Sequence, residues 1–280
     1  MLRMASKSVA IKMLAACREF LEEITLMKRL GYHERLVNLV GCVTASMPRL
    51  LIMEYCENGD LLKFMIKRRE YMIELQSQEH SKSDEDDDMI ITSRQQLMFA
   101  VQIVYGLEFL SQKGFVHRDV AARNILVDER KACRIGDFGL CRHMDQAHDI
   151  YLSKGGRLPL KWMPPEAIKD YEFSNKSDVW SFGVLLFEIV TLGGTPYPDW
   201  AAQEVLQRIC CGERMARPEN CSDEMYTLMT DCWAALTMDD FYLRLDASKD
   251  YYQPTQANGL NHAFEEKVEE DLNFEEAADC

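Results

Sequence analysis

Apolar positions along the chain change period several times, and each change predicts an element. Residues 9–14 (VAIKML) are a short apolar run of strand length. Over 17–30 (CREFLEEITLMKRL) the apolar positions 20, 21, 24, 27 and 30 recur at helical spacing, and Gly31 is placed to end that helix. Residues 36–43 and 49–55 read as strands, with a turn at Ser46-Met47-Pro48. Asn58-Gly59-Asp60 reads as a turn whose Asp60 caps a helix from Leu61 to about Arg69.

Periodicity is lost and charge gathers over 70–93, which predicts a solvated insert. A long amphipathic helix is expected over 94–112, strands over 115–117 and 125–127, and a charged, Gly-rich loop over 138–160. From Ser177 to about Leu192 the run SDVWSFGVLLFEIVTL is apolar on nearly every side. It predicts a buried helix starting near Ser177 or Asp178. Helices over 201–211 and 222–236 follow, and the pattern fades after Met238. A strand-rich segment 1–57 before a helix-rich segment 58–240 predicts an α+β fold of two lobes with a site in the cleft between them. Residues 241–280 form an acidic tail.

Charge narrows the function classes. The net charge of −14 argues against a general nucleic-acid binder. It is concentrated: residues 79–88 carry −5 and residues 261–280 carry −7, so the rest of the chain balances near −2. The ten cysteines are scattered without a CxxC pair, as expected for reduced thiols in a cytosolic setting. No apolar run reaches the length of a membrane span.

The chemistry concentrates in His117-Arg118-Asp119-Val120-Ala121-Ala122-Arg123-Asn124 and in Asp137-Phe138-Gly139, which begins 13 residues after Asn124. Asp119 is a carboxylate suited to accept a hydroxyl proton. Asn124 and Asp137 offer hard oxygen ligands of the kind Mg²⁺ takes. With the upstream Val9-Ala10-Ile11-Lys12, these residues match the signature set of protein kinases.

Over about residues 7–236 the chain resembles the catalytic domain of protein tyrosine kinases of the receptor type with a split kinase insert. The tyrosine-specific marks are Ala121-Ala122-Arg123-Asn124 and Gly156-Arg157-Leu158-Pro159-Leu160-Lys161-Trp162-Met163. The resemblance implies transfer of the ATP γ-phosphate to protein tyrosines, with ATP and Mg²⁺ as cofactors. It gives Asp119 as base, Arg123 as neutraliser of the migrating phosphate, and Lys12 as the contact to the α- and β-phosphates. Glu23 pairs with Lys12, ahead of its neighbours Glu19 and Glu22. Asn124 and Asp137 hold metal. Ala10 and Leu126 enclose adenine, Met53 stands at the gatekeeper position, and backbone groups of Glu54 and Cys56 bond the base. Asp178 anchors the catalytic loop, and His117 and Phe138 pack rather than touch substrate. Tyr151 is a regulatory phosphorylation site whose phosphate Arg118 or Arg142 would bind, and Tyr71, Tyr251 and Tyr252 are further modifiable tyrosines. Implied partners are tyrosine-bearing substrates, SH2-type phosphotyrosine readers and, for a longer parent, a dimer partner. The implied place is the cytoplasmic side of a plasma-membrane receptor.

Three departures from that pattern set a rival expectation. The 280 residues contain no GxGxxG phosphate-covering loop, and only eight residues precede Val9. Lys12 and Glu23 are only 11 residues apart. Phe241 stands where an arginine partner for Glu166 is expected, with Arg244 the nearest substitute, and Pro164 replaces the usual alanine. These favour a catalytically silent, pseudokinase-like interaction module or a truncated fragment of an active kinase.

Overall fold

Three antiparallel strands open the fold: β1 (Val9–Leu14), β2 (Leu39–Val43) and β3 (Arg49–Glu54), in the order β1-β3-β2. Helix α1 (Arg18–Leu30) lies between β1 and β2 in sequence and ends at Gly31, whose φ of 71° suits a residue without Cβ. This computed structural model describes residues 8–14, 18–77, 87–144, 151–152 and 159–234. Every described residue falls within one compact unit, Met1–Arg244.

Strand pairing decides which β1 side chains reach the cleft. In the β1–β3 register Ala10 faces Met53 and Lys12 faces Leu51. Alternation along β1 leaves Ala10 and Lys12 half-buried while Val9, Ile11 and Met13 are exposed. The predicted strand over 36–43 starts only at Leu39. Asn38 interrupts it, because its side-chain amide donates to the His33 and Leu36 carbonyls (3.1 and 3.0 Å) and to Glu54 Oε2 (2.8 Å).

The larger part is helical. Helix α2 (Leu61–Ser77) starts as expected, with the Lys63 amide donating to Asp60 Oδ1 at 2.8 Å. It then runs eight residues past Arg69, into the segment read as a solvated insert. Arg68 hides the continuity in the sequence: it is buried, and its guanidinium lies 3.4 Å from the Phe64 ring centroid. A charged residue thus occupies a position on the apolar face. Residues 78–86, the heart of the acidic insert, lie outside the described residues.

Helix α3 (Ser93–Gln112) is capped by Thr92, whose Oγ1 accepts from the Gln95 amide while Gln95 Oε1 accepts from the Thr92 amide. After it come β4 (Phe115–Val116) and the hairpin β5 (Ile125–Val127) with β6 (Cys133–Ile135). The expected loop over 138–160 contains β7 (Arg142–His143), paired with β4, and β8 (Tyr151–Leu152). Helix α4 (Pro165–Lys169) and β9 (Glu172–Phe173), paired with β8, come next.

Helix α5 (Asn175–Val190) begins slightly earlier than predicted, and every residue from Ser177 to Val190 is buried. Gly183 lets α5 press against the helix that ends near Trp233. A Cβ there would sit 2.7 Å from both Cys232 Cβ and Trp233 Nε1. Helix α6 (Ala202–Cys210) matches expectation, whereas α7 (Asp223–Cys232) ends sooner than the predicted 236.

Backbone bonds join the strand-rich part to the β5–β6 hairpin. Val37 N–H donates to Ile135 O at 2.8 Å, and Ile135 N–H donates to Arg35 O at 2.8 Å. All eight cysteines among the described residues are free thiols. No helix among the described residues is long and apolar enough to cross a membrane.

Candidate active site

Lys12 and Glu23 meet as the sequence leads one to expect. Lys12 Nζ donates to both Glu23 oxygens at 3.0 and 2.7 Å, with the Glu23 side chain 5% exposed. Glu22 faces outward on the same helix, and the Glu19 side chain lies outside the described residues. The short connection between strand and helix therefore does not prevent the pair. Lys12 Nζ is also 3.9 Å from Asp137 Oδ1, which brings the strand, the helix and the Asp-Phe-Gly segment to one point.

The catalytic-loop motif is folded tightly around Asp119. Asn124 Nδ2 donates to the Asp119 carbonyl at 2.8 Å, and the Arg123 guanidinium forms an ion pair with Asp119 Oδ1. Below the loop the Asp178 carboxylate accepts the His117 amide at 2.7 Å and the Arg118 amide at 2.9 Å. That anchor holds Arg118 at a φ of 72°, a left-handed conformation that an L side chain rarely adopts. Burial pushes the Asp178 carboxyl up, while His117 and the two amides pull it down.

His117 is fully buried, and its ring is bonded to the Gly136 carbonyl through Nε2 at 3.0 Å. Nδ1 accepts from the Asp119 amide at 3.3 Å, so the proton belongs on Nε2. The ring meets Phe138 edge-on at 5.7 Å. Both residues are buried and pack against each other.

Arg118 and Tyr151 are already in contact. The guanidinium lies 4.7 Å from the Tyr151 ring and 4.3 Å from the Phe173 ring, and it also donates to Leu140 O at 3.3 Å. Burial lowers the Arg118 pKa, and neighbouring Arg142 adds to that effect. Arg142 is committed to backbone: it donates to the Gly139 and Cys141 carbonyls at 2.9 and 2.7 Å. Of the two arginines offered for a phosphate on Tyr151, Arg118 is the one beside it.

On the hinge side, Met53 and Ala10 are paired across strands, and Leu126 on β5 is half-buried and bridges Asp60. The Glu54 amide donates to Asn38 O at 3.0 Å, and its carboxylate accepts from Asn38 and from Arg134 NH1 at 3.0 Å. Cys56 is buried, and desolvation pushes its thiol up to about 11. Glu166 is exposed in the first turn of α4, so it carries no buried charge in need of a partner. Residues 1–7, Gly156-Arg157-Leu158, Phe241, Arg244, Tyr251 and Tyr252 lie outside the described residues.

The donor set suits Mg²⁺. Asn124 and Asp137 bring an amide and a carboxylate oxygen, and the Asp137 side chain is 56% exposed. No group of three or more His, Cys, Asp and Glu side chains gathers as a metal cage among the described residues. Such a cage is not required by a cation that takes one or two carboxylates and completes its shell with phosphates and water.

Comparison with known proteins agrees with this geometry. The family pattern described as protein tyrosine and serine/threonine kinase matches residues 2–239. The chain belongs to that family. Its α+β architecture, with a three-stranded sheet ahead of a larger helical part among the described residues, is a protein-kinase fold. A Caenorhabditis elegans protein bearing a tyrosine-protein kinase name is 43% identical over 219 residues, covering 77% of this chain and 24% of the relative. Fibroblast growth factor receptor 1 of Pleurodeles waltl is 39% identical over 235 residues, and that of Xenopus laevis 38% over 234; each match covers 81% of this chain and 28% of the receptor. The kinase domain thus spans about a quarter of the length of these relatives.

Three participants escaped sequence reasoning: Glu188, Asn38 and Arg134. Glu188 accepts from the Ala122 amide and the Trp162 indole, and Trp162 lies under Arg123 at 4.3 Å. The available signal was a lone acid inside the apolar run VLLFEIV. Asn38 and Arg134, which both hold Glu54, gave no such signal.

Proposed function

We propose that this domain transfers the γ-phosphate of ATP to tyrosine hydroxyls of protein substrates. The meeting of Lys12, Glu23 and Asp137 in one cleft carries the reading, because phosphoryl transfer depends on positioning and charge stabilisation more than on covalent chemistry. Glu23 holds the Lys12 ammonium in place for a phosphate oxygen. Asp119 accepts the tyrosine proton, and Arg123 beside it supplies positive charge. Ala10, Met53, Leu126 and the backbone at Glu54 and Cys56 enclose the adenine. Asn124 and Asp137 would hold Mg²⁺, which neutralises phosphate charge when bound.

Arg123 favours tyrosine over serine as acceptor, since the lysine usual two residues after the base in serine/threonine kinases is Ala121 here. The receptor relatives support a place on the cytoplasmic side of a plasma-membrane receptor that signals through SH2-type readers and by dimerisation. Tyr151 is the regulatory phosphorylation site and Arg118 its phosphate partner.

The test is phosphotyrosine formation on a tyrosine copolymer with Mg-ATP, beside Asp119→Asn. Product from the parent and none from the variant is expected. If the parent makes no product and shows no thermal shift with Mg-ATP, the silent-module reading takes its place.

A further inference from the structure

Helix α5 carries two acids in its buried stretch, Asp178 and Glu188. Asp178 anchors the start of the catalytic loop. Glu188 has no role in the chemistry proposed for the cleft, although it is 2% exposed. A single oxygen, Oε2, accepts the Ala122 amide at 3.0 Å and the Trp162 indole N–H at 2.9 Å. Ala122 lies inside the catalytic loop between Asp119 and Asn124, and Trp162 lies just ahead of α4. One carboxylate oxygen therefore ties together two segments distant in sequence.

The tie extends to the reacting groups. The Trp162 ring is the platform under the Arg123 guanidinium, and Arg123 is paired with Asp119. An indole free to turn about its side-chain torsions would carry that platform with it, and the bond from Nε1 fixes the ring. Burial pushes the Glu188 carboxyl up; the Ala122 amide, the Trp162 indole and the Arg123 charge pull it back. Bonds to an ionised acceptor are stronger than neutral ones, which suits a rigid strut.

We propose that Glu188 is a positioning residue for phosphoryl transfer: through Ala122 and Trp162 it fixes the Arg123–Asp119 pair where the tyrosine hydroxyl must arrive. It touches neither nucleotide nor substrate, and its role rests on the tyrosine-kinase reading of the cleft.

Three variants of the 280-residue chain test it. Glu188→Leu removes the acceptor, Glu188→Gln keeps an acceptor oxygen, and Trp162→Phe keeps the ring but removes its N–H. Glu188→Leu is expected to lower kcat on the tyrosine copolymer by on the order of 10- to 100-fold, as small misplacements at a reacting centre do. Its KM for ATP should stay at the parent value. Glu188→Gln should recover most of the loss. Trp162→Phe should fall between, and it still decides the matter if Glu188→Leu does not fold. Hydrogen exchange across 119–124 should quicken in Glu188→Leu and match the parent in Glu188→Gln.

A parent without product overturns the kinase reading and this inference with it. A working parent with undiminished kcat in both Glu188→Leu and Trp162→Phe overturns this inference alone. So does a loss of kcat accompanied by an equal change in ATP KM and a lower melting temperature. Unchanged exchange across 119–124 overturns it whatever the activity.

Discussion

Replacing Asp178 by Asn should destabilise the domain although the two side chains have the same shape. Asp178 is 3% exposed and uses both oxygens on backbone amides, His117 at 2.7 Å and Arg118 at 2.9 Å. Asn offers one oxygen, so one amide faces an NH₂ group. A buried donor left unsatisfied costs about 1–3 kcal/mol. The remaining bond loses its charge assistance, worth about 1 kcal/mol. Removing a buried charge returns part of this, for a net loss of about 2–3 kcal/mol. Arg118 adds to the sensitivity, because its φ of 72° is held by the bond being weakened.

Urea unfolding at pH 7, followed through the four tryptophans, measures the loss. With an m-value of about 2–3 kcal/mol/M the midpoint should drop by about 1 M. Asp178→Leu, which satisfies neither amide, should drop further. A midpoint at the parent value in Asp178→Asn, or a leucine variant more stable than the parent, would refute the reasoning. Either result would mean that the buried charge costs more than its two bonds return.

Three further outcomes are expected from the geometry. Lys12→Met should lower kcat by on the order of 100-fold or more, as loss of an electrostatic stabiliser does, in the copolymer assay; activity equal to the parent would dismiss the Lys12–Glu23 pair as a functional element. Gly183→Ala should lower stability by about 1–2 kcal/mol in urea unfolding, since overpacking at 2.7 Å outweighs the better helix propensity of alanine; a stabilised variant would show that α5 and the Trp233 ring part easily. Glu188 ionises at about 4.5 when unfolded and higher when folded, because burial dominates. Above pH 4.5 the folded state therefore keeps a proton that the unfolded state releases, so stability falls as pH rises through that window. Glu188→Gln should flatten this slope in urea midpoints taken from pH 4.5 upward, and an unaltered slope would assign the dependence to another group.

Much of the cleft was legible because kinase chemistry keeps its groups at short, fixed spacings. Asp119, Asn124 and Asp137 fall within one stretch of sequence, and in the family resemblance the spacing from Met27-Lys28-Arg29-Leu30 picks out Glu23; the fold turns it inward and Glu22 outward. What stayed hidden is of another kind. The helix read as ending near Arg69 because the charge of Arg68 masks its contact with Phe64. Asn38, Glu54 and Arg134 come together from three distant places, and a contact made by the folded chain leaves no periodicity behind. Asn38 also delayed the start of a strand that its apolar neighbours predicted from residue 36. Glu188 was visible as an acid among apolar residues, but its partners are set by where the catalytic loop crosses α5.

Lys12 lies between two carboxylates, and that has a consequence for how a nucleotide enters. Among the described groups assigned to phosphate, metal and proton transfer, two cations, Lys12 and Arg123, stand against three acids, Glu23, Asp119 and Asp137, and each cation is already within ion-pair distance of at least one of them. A polyphosphate approaching alone would meet a net negative field. On the kinase reading, the domain selects for a ligand that brings its own counter-charge, so free ATP and ATP carrying a divalent ion are different ligands to it.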